Sequence, residues 1–128
     1  NKINNIFSLK INLDYYNWNK EVYHKPNFIC SVIAPLTLRN KIKVTSSLVY
    51  FTKRDAVQYY FDDLVTPYND TPQALSSQFL ANLEFYYFYS KQLSLYLELN
   101  NLANVKKDLW NGYPQIGFNG VLGVKYSF

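Results

Sequence analysis

One histidine, one cysteine and nine acidic residues are all that the chain offers for acid–base, nucleophilic or metal chemistry. His24 precedes Pro26 at what reads as a strand entry, so a positional role in a loop fits it better than ligation or catalysis. Cys30 lies in an apolar strand. A lone cysteine excludes an internal disulfide and a cysteine-rich zinc site, which leaves apolar filling, buried or lipid-facing. Glu84 and Glu98 fall on the polar side of neighbouring strands. Such a pair could serve a hydrolase, but no Ser-His partner completes it. Pairing with Lys10, Lys43 or Lys125 on the same side is the expected state. Asp62, Asp63 and Asp70 share one long loop, and their spacing matches no calcium site. No catalytic, cofactor-binding or metal-binding set is expected.

Binding chemistry is better represented. Trp110, Tyr113 and Pro114 form an aromatic tip that could stack on a sugar, pack on a partner or pack within its own loop. Lys20, Lys25, Lys53, Arg54, Lys106 and Lys107 fall in long connections. Lys53 and Arg54 are the sharpest candidates for lipopolysaccharide phosphates, because charge-assisted contacts to phosphate are strong. The competing expectation is pairing with Glu21, Asp55 and Asp108. The net charge of +4 comes from basic residues scattered in ones and twos, so no nucleic-acid partner is expected.

The elements that must position these groups are strands. In Phe7-Ser8-Leu9-Lys10-Ile11-Asn12-Leu13-Asp14-Tyr15 apolar and polar residues alternate without exception. A strand with that period shows one apolar and one polar face. The pattern returns with Phe28, Cys30, Val32, Ala34, Leu36 and Leu38, and with Ile42, Val44, Ser46, Leu48 and Tyr50. It returns again with Phe79, Ala81, Leu83, Phe85, Tyr87 and Tyr89, and with Leu93, Leu95, Leu97 and Leu99. Phe118, Leu122, Val124, Tyr126 and Phe128 close the series. These runs approach the 9–11 residues that a tilted strand needs to cross a bilayer, against roughly 5–6 for a soluble strand. No apolar run is long enough for a membrane helix.

Tight turns are expected at Arg39-Asn40 and Ser90-Lys91, and long links at 17–25, 54–76 and 103–116. Short turns on one side and long loops on the other are the transmembrane-barrel pattern, with the C-terminus on the short-turn, periplasmic side. Pro35 predicts a bulge or irregularity. Ile29, Ile33, Val49 and Leu80 are apolar on the polar face and would pack inside. Aromatics sort to the strand ends: Tyr15, Phe28, Tyr50, Phe79 and Phe118 towards the long loops, Phe7, Tyr87, Tyr89, Tyr126 and Phe128 towards the short turns. Two girdles around an aliphatic band, with Phe85 the clearest exception, suit the headgroup levels of a membrane. A soluble β-sandwich has no reason to sort them so. Six strands cannot close a membrane barrel, whose smallest forms have about eight. Open edges in lipid are costly, so further strands, from the same protein or another, are expected. A chain without any Met that starts at Asn1 reads as a processed product, a fragment or an incompletely numbered chain.

The stretch from Leu93 to Phe128 resembles the C-terminal hairpin of TonB-dependent-receptor-like outer-membrane barrels of Bacteroidota. The Asn-Asn-Leu-x-Asn turn within Glu98 to Asn104 carries the resemblance, followed by Trp110-Asn111-Gly112-Tyr113-Pro114. Gln115-Ile116-Gly117-Phe118 and the closing Tyr126-Ser127-Phe128 complete it. Tyr23-His24-Lys25-Pro26-Asn27-Phe28 and Tyr50-Phe51-Thr52-Lys53-Arg54 are similar to the family's strand entry and exit. The resemblance implies an all-β antiparallel barrel segment in the Gram-negative outer membrane, serving nutrient uptake. It implies that Tyr126 and Phe128 signal to the barrel-assembly machinery, and that TonB and a surface lipoprotein are partners. No plug domain or TonB box is visible. A structural or partner-binding barrel subunit is the alternative, and an outer-membrane enzyme a remote one. Substrate identity is not legible.

Overall fold

The computed structural model describes residues 5–58 and 71–128. Strands β1 (Ile6–Phe7), β2 (Lys10–Tyr15), β3 (Phe28–Leu38) and β4 (Ile42–Phe51) follow one another. Next come β5 (Arg54–Gln58), β6 (Thr71–Leu75), β7 (Gln78–Phe88) and β8 (Leu93–Asn100). The series ends with β9 (Asp108–Trp110), β10 (Tyr113–Pro114) and β11 (Asn119–Tyr126). The fold is all-β and antiparallel, with no helix among the described residues. One meander orders the main sheet as β1/β2, β3, β4, β7, β8, β11. The sheet is open, with the β1/β2 strand and β11 at its edges.

Register sorts the faces as the alternation requires. One row across the sheet reads Leu9, Ala34, Ser46, Leu83, Leu99, Gly120, and the next reads Phe7, Leu36, Val44, Phe85, Leu97, Leu122. The opposite face carries Lys10, Ile33, Ser47, Asn82, Asn100 and Asn119 in one row. Its next row includes Pro35, Thr45, Glu84, Glu98 and Val121. Among the described residues no second layer covers the apolar face, and the polar face is covered only near the long-loop rim. Among the described residues the only buried apolar ones are Phe51, Ala56 and Leu75, all near the long-loop rim. On the apolar face Leu122 is 78% and Val124 65% exposed. Burying a side chain of this kind is worth about 1.5–3 kcal/mol. The uncovered face therefore forgoes a large stabilisation that a surrounding phase or partner would restore.

Pro35 does not bulge its own strand. β3 and β4 keep one register from Ile29↔Phe51 to Leu38↔Ile42. The irregularity falls on the edge neighbour, where Ser8 and Leu9 separate β1 from β2 although both keep the same register on β3. Ser8 N donates to the Pro35 carbonyl at 3.1 Å. In an antiparallel ladder a residue's N–H and C=O point to the same neighbour, so the donor that proline lacks is missing on that side.

The β3–β4 turn has Arg39 at φ 49° and Asn40 at φ 55°, with Lys41 N donating to Leu38 O at 3.0 Å. Two central residues at positive φ suit the right-handed strand twist, as in a type I′ hairpin. The β7–β8 turn spans Tyr89 to Gln92, and Ser90 Oγ accepts from the Gln92 and Leu93 amides. Both tight connections lie at one end and all long ones at the other. The expected loop 54–76 needs correction. Its flanks form the β5–β6 hairpin, in the same register as β4–β7. Pro72 and weak alternation hid this arm in the sequence. Asp62, Asp63 and Asp70 lie outside the described residues.

Gly123 pins the last hairpin. It pairs with Tyr96, whose ring lies against its backbone; a Cβ there would stand 2.3 Å from Tyr96 Cζ. The Tyr96 ring also stacks on Tyr86, centroids 5.9 Å apart. Gly123→Ala must displace the ring, at about 1–3 kcal/mol. Urea unfolding should show that loss, and it should vanish in a Tyr96→Ala background if the ring is its cause.

Candidate functional site

The polar face is layered. Nearest the long loops, Asn82, Asn100 and Asn119 stand side by side on β7, β8 and β11. Asn100 Nδ2 donates to Asn119 Oδ1 at 3.4 Å, and Asn119 Nδ2 to Gly117 O at 3.0 Å. Below them Glu84 and Glu98 are direct cross-strand partners. The expected lysine pairs do not form. Among the described residues neither carboxylate has a cation within ion-pair distance, and Glu98 instead lies in hydrogen-bonding reach of Tyr86. The register explains this, because Lys43 faces Tyr86 and Lys125 faces Ser94. The third layer is the Tyr86–Tyr96 stack.

The loop after β8 folds back over this floor because of Asn101. It takes φ 53°, a conformation that asparagine tolerates better than most residues. It is 6% exposed. Its Nδ2 donates to Val105 O (2.7 Å) and Ile116 O (2.9 Å), and its Oδ1 accepts from Val105 N (2.9 Å). Its own amide donates to Asn82 Oδ1 at 2.9 Å. Asn104, also at positive φ, accepts from Phe118 N at 3.0 Å. Gly117 passes so close that a Cβ would stand 2.6 Å from Asn104 Oδ1. The Asn-Asn-Leu-x-Asn and Gln-x-Gly-Phe motifs are thus two halves of one knot.

That loop is clamped to the β5–β6 arm. Arg54 Nη2 and Gln78 Nε2 both donate to Asp108 O, at 3.3 and 2.7 Å. Lys107 Nζ donates to Ser77 O at 3.1 Å. The first long loop joins through His24, whose amide donates to Asp55 O at 2.6 Å and whose ring lies 4.8 Å from that of Trp110. His24 is at φ 61°, in keeping with a positional role.

Arg54 is a correction. It is 6% exposed, bonded to Asp108 and seated 4.6 Å over the Phe51 ring, so it is not a free phosphate contact. Burial lowers its pKa from the ordinary value, though a guanidinium stays charged. Lys53 beside it is exposed. Lys25 lies 5.2 Å over the Trp18 ring, while Lys20 and Lys106 are exposed. The loop acids serve the loops: Glu21 accepts from the Tyr23 hydroxyl, and Asp108 Oδ2 from Gly112 N.

Between the floor and the loop lies a cleft of about 470 Å³. Asn82, Asn100 and Asn119 line it below, and Trp110, Tyr113, Pro114 and Gln115 above. The aromatic tip is exposed, on the hairpin β9–β10. Among the described residues His24 Nδ1, Arg54 Nε, Gln78 Oε1 and Gln115 Oε1 are buried polar atoms without a partner, and of these residues Gln115 lines the cleft. Amides and aromatic faces can hold a neutral polar ligand by hydrogen bonds and stacking. Among the described residues no three His, Cys, Asp or Glu side chains gather as for a metal. Cys30 sits on the apolar face between Leu13 and Tyr50. Sequence reasoning missed Arg54, Gln78 and Asn101 as the residues that assemble the rim. Asn101 carried a signal, since an Asn-Asn pair at a strand end marks a positive-φ turn.

The aromatics within strands keep the face that alternation assigns to them. Tyr15 pairs with Phe28, and Tyr50 with Phe79, at the long-loop end of the apolar face. Phe118 is exposed just before β11. Phe7 and Tyr87 lie on the same face towards the short turns, with Tyr89 in the β7–β8 turn. Tyr126 and Phe128 meet edge to face, centroids 5.2 Å apart. No protein-family model matches the chain, and no curated protein matches it.

Proposed function

We propose that this chain is part of an outer-membrane β-barrel, similar to a TonB-dependent receptor and serving nutrient uptake. The observation that carries the reading is the uncovered apolar face. It is continuous from β2 to β11, bounded by aromatics and backed by a polar face, with long loops at one end only. Lipid outside and water inside would satisfy both faces at once. The open edges at the β1/β2 strand and β11 call for further strands, because unpaired backbone groups are costly in hydrocarbon. In this reading the knotted loops face outwards, the Asn-lined cleft meets the solute, and Lys20, Lys53 and Lys106 face lipopolysaccharide. Tyr126 and Phe128 serve recognition by the barrel-assembly machinery at the periplasmic side, and TonB and a surface lipoprotein are further partners. The exposure of Trp110, Tyr113 and Ile116 also favours a second reading, a barrel subunit that holds a partner without transport.

Membrane fractionation of the native protein tests the proposal. The expected result is recovery in the outer membrane, resistance to carbonate extraction and a faster gel band before heating than after. Recovery as a soluble monomer would overturn it. Intact mass and N-terminal sequencing of the same band then distinguish the readings, since a plug and TonB box upstream favour uptake.

A further inference from the structure

We propose that the short-turn end binds anionic phospholipid, through a groove in which Arg39 and Lys41 flank an outward-facing apolar floor. The inference rests on the membrane reading above. It adds a specific site and a specific lipid chemistry.

The first observation is charge. Residues 5–9, 36–44, 85–97 and 122–128 make up the short-turn part of the sheet. They hold Arg39, Lys41, Lys43, Lys91 and Lys125 and no acidic side chain. The rest of the chain, with eight basic residues against nine acidic, is nearly neutral. The excess charge of the protein therefore sits at one end. An end of that kind attracts an anionic surface.

The second observation is a groove of about 440 Å³ at the same end. Leu38, Ile42 and Tyr87 form one row across β3, β4 and β7 on the apolar face, and they line it. Arg39 and Lys41 line its edge and are exposed. Among the described residues neither basic side chain has an ion pair or a side-chain hydrogen bond. The Arg39 amide donates to Asn5 Oδ1 at 3.3 Å, which ties the third wall to the turn. The type I′ geometry holds both cations beside the groove, one within the turn and one just after it. An apolar floor that opens onto lipid fits an acyl chain. Two unpartnered cations at its end, one a planar guanidinium, fit a phosphate ester. A free phosphate would not use the floor, and an acidic protein segment would not use its outward, lipid-level position.

The test uses the protein with the strands that complete its barrel, purified in mild detergent. Phosphatidylglycerol and phosphatidylethanolamine are offered in equal amounts, and native mass spectrometry counts the retained lipids. At least a fivefold preference for phosphatidylglycerol is expected. Arg39→Asn with Lys41→Gln should abolish it, and asparagine keeps the positive φ of the turn. Lys10→Gln, on the polar face of β2 and away from the groove, should leave it intact. Equal retention of the two lipids overturns the proposal. So does a preference that survives the double substitution, or a double substitution that instead releases a co-purified acidic protein. Heat-dependent gel mobility and vesicle insertion are followed in parallel. Failure to insert overturns the membrane reading along with the site, whereas normal insertion without lipid preference overturns the site alone.

Discussion

Replacing Asn101 by alanine is expected to destabilise the protein by about 4 kcal/mol and to release the last long loop from the sheet. Three side-chain hydrogen bonds disappear, and their backbone partners at Val105 and Ile116 stay behind. Each buried group left unsatisfied costs about 1–3 kcal/mol. Alanine also pays about 1–2 kcal/mol for the left-handed backbone at φ 53°. The loss would propagate, because Asp108 in the same loop is the shared acceptor of Arg54 and Gln78. Urea unfolding measures the first effect. Trypsin cleavage at Lys106 and Lys107 in the folded protein measures the second. Asn101→Gly separates the causes, since it loses the same hydrogen bonds as alanine but escapes the conformational strain. Full recovery in the glycine variant would show that the hydrogen bonds are not what holds the loop.

Leu83→Arg should cost about 2–4 kcal/mol in a bilayer, the range for a basic residue at the midplane of a barrel's lipid face. Leu83 stands on β7 between Ser46 and Leu99, in the middle rows of the apolar face. Thr45→Arg makes the matching change on the other face, beside Glu84. There the new guanidinium gains a carboxylate neighbour in water, and little loss is expected. The measurement is the yield of heat-modifiable protein in the outer membrane and its unfolding in urea after refolding into vesicles. Equal tolerance of the two substitutions would contradict the proposed membrane placement. The comparison is sharp because it changes only which side of the sheet receives the charge.

Side-chain alternation belongs to the strand itself, so the sequence by itself determined which residues share a face. Leu83 and Thr45 could be assigned to opposite faces before any pairing was known. The sorting of Tyr15, Phe28, Tyr50 and Phe79 was legible for the same reason, as were the tight turns. Pro35 was legible as a disturbance but not in its position. Its missing donor is felt by Ser8, a partner that only the pairing identifies.

Tertiary structure alone decided the rest, because those features join residues far apart in the chain. Nothing near Arg54 in sequence announces its burial. The acceptor that draws it in is Asp108, 54 residues away. The exposed Lys53 next to it differs only in pointing the other way. Glu84 and Glu98 face each other rather than lysines because of the β7–β8 register, which a shift by two residues would have changed without altering either strand's pattern. The few side chains at this site, His24, Trp110 and the three asparagines, were visible as residues from the start. What the sequence could not show is that three separate loops meet in one rim over the asparagine floor. Loop closure depends on specific long-range hydrogen bonds, which no local period encodes.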